Sequence, residues 1–156
     1  MENKIRYILK EYLMDKKEFK KTLTDILSEY GFSYKNNIYR NVTNDLIIVI
    51  ATQKSNFENI YYINYGFSIK LLHPDIEKVK DNTSDVFGRF VFNFSRKKTD
   101  KVEYTEITSE RFSSELKRAI EHDIQPVLKY GLVKYFELYP FAKNMIPSEA
   151  KKLLFD

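Results

Sequence analysis

Hydrophobic periodicity switches twice along this chain, from a helical repeat to a two-residue repeat and back, which limits the fold more than any motif does. Ile5, Ile8, Leu9, Tyr12 and Leu13 recur at helical spacing and predict a first helix from about Glu2 to Leu13. Asp15 then suits an N-cap, with Glu18 as its reciprocal partner. Phe19, Leu23, Ile26, Leu27 and Tyr30 form a second apolar stripe, which Gly31 ends. From Phe32 to about Ile107 the repeat becomes two. Asn36-Asn37 tolerates positive φ and predicts a hairpin between Ser33–Lys35 and Ile38–Val42. Leu46–Thr52 is apolar at both parities, as a strand buried on both faces requires. Tyr61, Ile63, Tyr65, Phe67, Ile69 and Leu71 alternate with Tyr62, Asn64, Gly66, Ser68 and Lys70, so one strand face belongs to the core and the other is polar.

Further strands are predicted over Phe87–Ser95 and Lys101–Ile107, with a short helical turn from Pro74 to Lys80. After Thr108 the helical period returns in Phe112, Leu116, Ala119 and Ile120. Pro126 restarts the helix, Leu132, Tyr135 and Phe136 continue it past Gly131, and a last short helix spans about Ser148 to Leu154. Arg111–Glu115 and Lys117–Glu121 are expected as surface pairs. Helices, a meander and helices again describe an α+β fold: a mostly antiparallel sheet of five or six strands, with N-terminal and C-terminal helices packed on one face.

The 156 residues fit a single domain, 1–156, and 43% hydrophobic residues supply its core. The chain contains no cysteine and no apolar run of membrane-spanning length, so a cytoplasmic protein that does not enter a membrane is expected. A net charge of +4 suggests nucleic acid, yet the compact basic cluster is only Arg96, Lys97 and Lys98 with Lys101 behind it. That is too little for a phosphate-binding face, so nucleic acid is not an expected partner. Val86–Phe94 superficially resembles the aromatic strand of an RNA-recognition motif, but its spacing is off by one residue and the element order is wrong. Phe90, Phe92 and Phe94 are therefore expected in the core.

No catalytic residue, metal site or cofactor is predicted. With no Cys and only His73 and His122, zinc would need carboxylates to complete its shell. Glu115, Arg118 and His122 share a helix face and could hold a ligand, although a surface ion pair beside an imidazole is the simpler reading. The four glycines are scattered singly, so no phosphate loop exists. One unusual polar group stands out: Gln53 ends the buried strand, Ser55 begins the next loop, and Asn64 projects from the polar face of the partner strand. These residues, with Arg89, form the candidate partner- or ligand-binding patch, against the alternative that Gln53 and Asn64 merely satisfy backbone groups.

Asp15-Lys-Lys-Glu-Phe through Tyr30-Gly31-Phe32, Gln53-Lys54-Ser55-Asn56, Tyr61-Tyr62-Ile63-Asn64-Tyr65-Gly66, Gly88-Arg89-Phe90 and Ile107-Thr-Ser-Glu-Arg-Phe through Pro126-Val127-Leu128 resemble the bacterial domain-of-unknown-function family 4304. The likeness covers roughly residues 15–130 and leaves the first helix and the C-terminal tail as elaborations. It implies no activity. Small bacterial domains of this kind include immunity and antitoxin partners, an association rather than a mechanism. The leading expectation is a non-enzymatic protein-recognition domain. An enzyme or small-ligand binder with a polar site near Gln53, Asn64 and Arg89 is the alternative, and homodimerisation through the first helix a third reading.

Overall fold

The computed structural model describes residues 13–156. The helix expected over residues 2–13 therefore lies outside the described residues, except for Leu13, which is extended in an antiparallel bridge with Thr108. Helix α1 (Lys16–Glu29) begins at the capping box read from the sequence: the Glu18 amide donates to Asp15 Oδ1 at 2.7 Å, and the Asp15 amide returns to Glu18 Oε1 at 3.4 Å. Its stripe of Phe19, Leu23, Ile26 and Leu27 is buried.

Six strands follow: β1 (Ser33–Lys35), β2 (Ile38–Val42), β3 (Leu46–Lys54), β4 (Ile60–Ile69), β5 (Val86–Arg89) and β6 (Val102–Glu103). They form one sheet in the order β1-β2-β3-β4-β5, with β6 pairing on β4 as well, and every pairing is antiparallel. Asn36 and Asn37, at φ 53° and 64°, close the β1–β2 hairpin in the primed geometry that matches strand twist. The C-terminal part contains α2 (Ser109–Asp123), α3 (Gln125–Tyr130), α4 (Val133–Leu138) and α5 (Ser148–Phe155). This is the α+β order that the double change of period predicts.

The long strands sort their residues by parity. Tyr61, Ile63, Tyr65 and Phe67 of β4 join Leu46, Ile48 and Ile50 of β3 in one apolar cluster beneath α1 and α2. There Phe19 stacks on Tyr61 at 4.7 Å between ring centres and meets Phe112 at 5.0 Å, tying α1, β4 and α2 together. Phe90 and Phe92 lie fully inside the same cluster, and Phe94 packs against it.

The opposite face differs from the open polar surface expected. Ile38, Ile47, Val49 and Ala51 form a second, smaller cluster under Val79 and Ile76 of the β4–β5 connection. That connection crosses the sheet as a strap of short 3-10 turns. Arg40 holds it by donating to the Glu77 and Val79 carbonyls at 2.9 and 3.0 Å, and Asp85 fixes its end by accepting from the Ile69 amide and contacting His73. Ser68 is thereby fully buried, although alternation placed it on the polar face. Gly66 permits this closeness, because a Cβ there would run into the Ser84 side chain.

Three strand boundaries shift for tertiary reasons. Leu71 leaves the core face in a 3-10 turn and is 79% exposed. The strand expected over Phe87–Ser95 ends at Arg89, after which only a Phe92–Thr99 bridge continues the pairing. Lys101–Ile107 keeps two paired residues before a turn at Tyr104–Glu106. The expected helical surface pairs are also replaced: Arg118 meets Glu115, and Lys117 reaches Glu29 on α1.

Gly88 lies directly opposite Tyr65, and a Cβ at Gly88 would sit 2.6 Å from the tyrosine Cζ and hydroxyl. The missing side chain lets the Tyr65 ring lie across β5. Gly88→Ala is expected to cost about 2–3 kcal/mol in urea unfolding, as overpacking does. The same change in a Tyr65→Leu background should cost much less, because the steric partner is gone.

Candidate functional site

Register brings the candidate residues together. Ala51 pairs with Asn64, Gln53 with Tyr62, and Asn64 with Arg89, so three strands deliver polar side chains to one end of the outer face. Arg89 organises them. Its Nε donates to Asn64 Oδ1 at 2.8 Å, Nη2 to Gln53 Oε1 at 3.0 Å and Nη1 to Asp100 Oδ2 at 3.1 Å. Asn64 Nδ2 closes the ring onto Gln53 Oε1 at 3.1 Å. The guanidinium also lies 4.3 Å from the centre of the Tyr62 ring. Every nitrogen of Arg89 is thus engaged, and the planar fork is held in one orientation.

Beside this cluster lies a shallow depression of about 840 Å³, bordered by Ala51, Gln53, Asn64, Asn82, Phe87 and Arg89. Phe87 is 54% exposed there. The strap that buries the other end of the face stops short of this one. Ser55 does not take part: its Oγ accepts from the Phe57 amide at 3.4 Å and turns the β3–β4 loop. Asp100, Tyr62 and Phe87 complete the patch, and the sequence did not single them out. Parity does place Tyr62 and Phe87 on the outer face, whereas Asp100 arrives from a loop with no periodic signal.

A second polar centre was missed entirely. Asp123, at the end of α2, is 4% exposed. Its Oδ2 accepts from the Tyr65 hydroxyl at 3.1 Å, and its Oδ1 accepts from Tyr139 at 2.6 Å and contacts His122 Nδ1 at 2.6 Å. Tyr65 Oη lies 2.8 Å from Tyr135 Oη. Since Tyr65 spends its proton on Asp123, Tyr135 donates to Tyr65. A carboxylate at a helix C-terminus opposes the helix dipole, and three convergent contacts offset that penalty. The Glu115, Arg118 and His122 face holds as a Glu115–Arg118 ion pair, while His122 turns to Asp123. Among the described residues no group of three or more His, Cys, Asp or Glu side chains could hold a metal ion.

The family comparison adds one decisive match. The sequence profile described as "Domain of unknown function (DUF4304)" matches residues 23–130, most of the chain. The chain belongs to the DUF4304 family. The match begins at residue 23 rather than 15, so the capping box of α1 precedes it, and it ends at the α3 boundary before Gly131. All four members of the Gln53, Asn64, Arg89 and Asp100 cluster fall inside the DUF4304 span, as do Tyr65 and Asp123. Tyr135 and Tyr139, which complete the buried network, fall outside it. No curated protein and no solved structure matches the chain.

Burial raises the Tyr65 and Tyr135 hydroxyl pKa values above the ordinary tyrosine value, and the Asp123 charge adds to both shifts. Above about pH 10 the unfolded chain loses these protons while the folded chain keeps them, so stability falls as pH rises. Each contributes a slope of about 1.4 kcal/mol per pH unit. Urea unfolding between about pH 10 and 11.5 should show Tyr65→Phe with a slope shallower by about that amount.

Proposed function

We propose that this DUF4304 chain is a non-enzymatic recognition domain that binds another protein through the open end of its outer sheet face. The observation that supports this reading is the half-exposed Phe87 beside an Arg89 whose three nitrogens are each hydrogen-bonded within the domain. A catalytic or small-ligand site needs polar groups free to meet its ligand, and in this patch Arg89, Asn64 and Gln53 are already held against one another. What it offers instead is a rigid surface of Phe87, Tyr62 and the flat guanidinium. Those residue types dominate the energetics of protein interfaces, and their immobilisation lowers the entropy lost on binding.

The alternative, a small-ligand or enzyme site at Gln53, Asn64 and Arg89, draws support from the depression itself. A ligand there would have to break the Asn64–Gln53–Arg89 ring in order to be recognised by it, and that cost favours the protein partner. An immunity- or antitoxin-like role is the form this reading takes if the partner is one cognate protein. No helix among the described residues is long and apolar enough to cross a membrane. Lack of cysteine supports placing the protein in a reducing compartment, the bacterial cytoplasm.

Affinity capture with wild type, Phe87→Asp and Phe57→Asp tests the assignment. Phe57 is 95% exposed at the β3–β4 loop and serves as the control. Wild type and Phe57→Asp should retain a common prey, and Phe87→Asp should lose it. Identical capture by all three would refute the sheet-face assignment.

A further inference from the structure

The second polar centre opens onto a cavity of about 290 Å³ between the last turns of α2 and the Val91–Asn93 segment, reached also by Lys98. It shares no bordering residue with the Phe87 depression. Its two carboxylates are engaged, and three of its nitrogens are not. Glu115 is 8% exposed, takes the Asn93 amide at 2.6 Å and faces Arg118 Nε with both oxygens at 3.2 Å. Asp123 is saturated by Tyr65, Tyr139 and His122. Because Tyr139 and Tyr65 both donate to that carboxylate, His122 Nδ1 must carry the proton it shares with Asp123, which leaves Nε2 as the ring's free nitrogen. Arg118 Nη2 donates to the Val91 carbonyl at 2.9 Å. Among the described residues, Arg118 Nη1, Lys98 Nζ and His122 Nε2 make no hydrogen bond.

We propose that this cavity binds the phosphate group of a small molecule, with Arg118 Nη1, Lys98 and His122 Nε2 converging on its oxygens. One guanidinium fork held in place, one mobile ammonium and one imidazole nitrogen suit a tetrahedral oxyanion, which presents acceptors in several directions, better than a planar carboxylate, which presents two. Neutral Nε2 accepts from a monoprotonated phosphate, and protonated Nε2 donates to a dianion, so the imidazole serves either form. Glu115 is charge-paired by Arg118 and Asp123 is hydrogen-bonded by Tyr65, Tyr139 and His122, so Lys98 and a protonated His122 supply the charge that attracts the ligand. The volume lies at the small end of ligand sites and excludes a full nucleotide.

The test follows the His122 ring by NMR while inorganic phosphate is added at constant ionic strength, with chloride and acetate as comparison anions. Wild type should show saturable shifts with phosphate in the millimolar range and little response to chloride or acetate. Lys98→Ala removes an exposed side chain without disturbing the buried pairs, and should weaken phosphate binding about tenfold, as loss of one charge-assisted hydrogen bond does. His122→Gln, followed through backbone amides of Asn93 and Ala119, should also weaken it. Equal responses to phosphate and chloride, acetate binding as tight as phosphate, or unchanged affinity in Lys98→Ala would each overturn the assignment.

Discussion

Strand β4 is paired along both edges, and which way each of its side chains points decides where everything else goes. Tyr61, Ile63, Tyr65 and Phe67 draw α1 and α2 onto one face. Gly66 and Ser68 allow the strap to close on the other, and Asn64 lies where that strap ends. A one-residue slip in β3–β4 register would exchange these sets and place the aromatic ladder in water. Nine residue pairs between the two strands oppose such a slip.

Tyr65 joins this arrangement to the C-terminal helices. Its ring crosses β5 over Gly88 and its hydroxyl reaches Asp123, where Tyr135 and Tyr139 of the last part of the chain also converge. A buried carboxylate is costly unless each oxygen is matched, so the tyrosines act together and fix how α4 docks against β4. The same constraint leaves His122 in a single tautomer at the cavity edge. The two polar centres thus differ in kind: around Arg89 the hydrogen bonds close on themselves, whereas around Asp123 they leave donors facing outward.

Much of this was legible in the residues. The Asp15–Glu18 box, the Asn36-Asn37 turn and the doubly apolar β3 are local signals, and local physics kept them intact. The parity of β4 also put Asn64 and Tyr62 on the outer face. Coverage was not legible. Residues 73–85 are mostly polar, and only Ile76 and Val79 enter the second cluster, too few to mark a strap. The Phe90 amide still donates to the Ile63 carbonyl in the β4–β5 register, and β5 goes no further because the next residues on that edge of β4, Ile60 and Tyr61, pair with β6, a long-range competition with no local trace. Asp100 and Asp123 look like ordinary surface carboxylates until the sheet brings Arg89 and Tyr65 to them. Ser55 looked like a member of the patch because it follows Gln53 closely, but its hydroxyl is used in its own turn.

We propose that the uncovered end of the outer face is the part of this domain that meets a partner. Hydroxyl-radical footprinting of the protein, purified and then in native lysate at matched radical dose, measures this without knowing the partner. Oxidation of Tyr62 and Phe87 should fall in lysate, while that of the exposed Tyr34 and Phe57 stays level. Unchanged Tyr62 and Phe87, with protection at Tyr130 or Phe141 instead, would contradict the account and move the interface to the C-terminal helices.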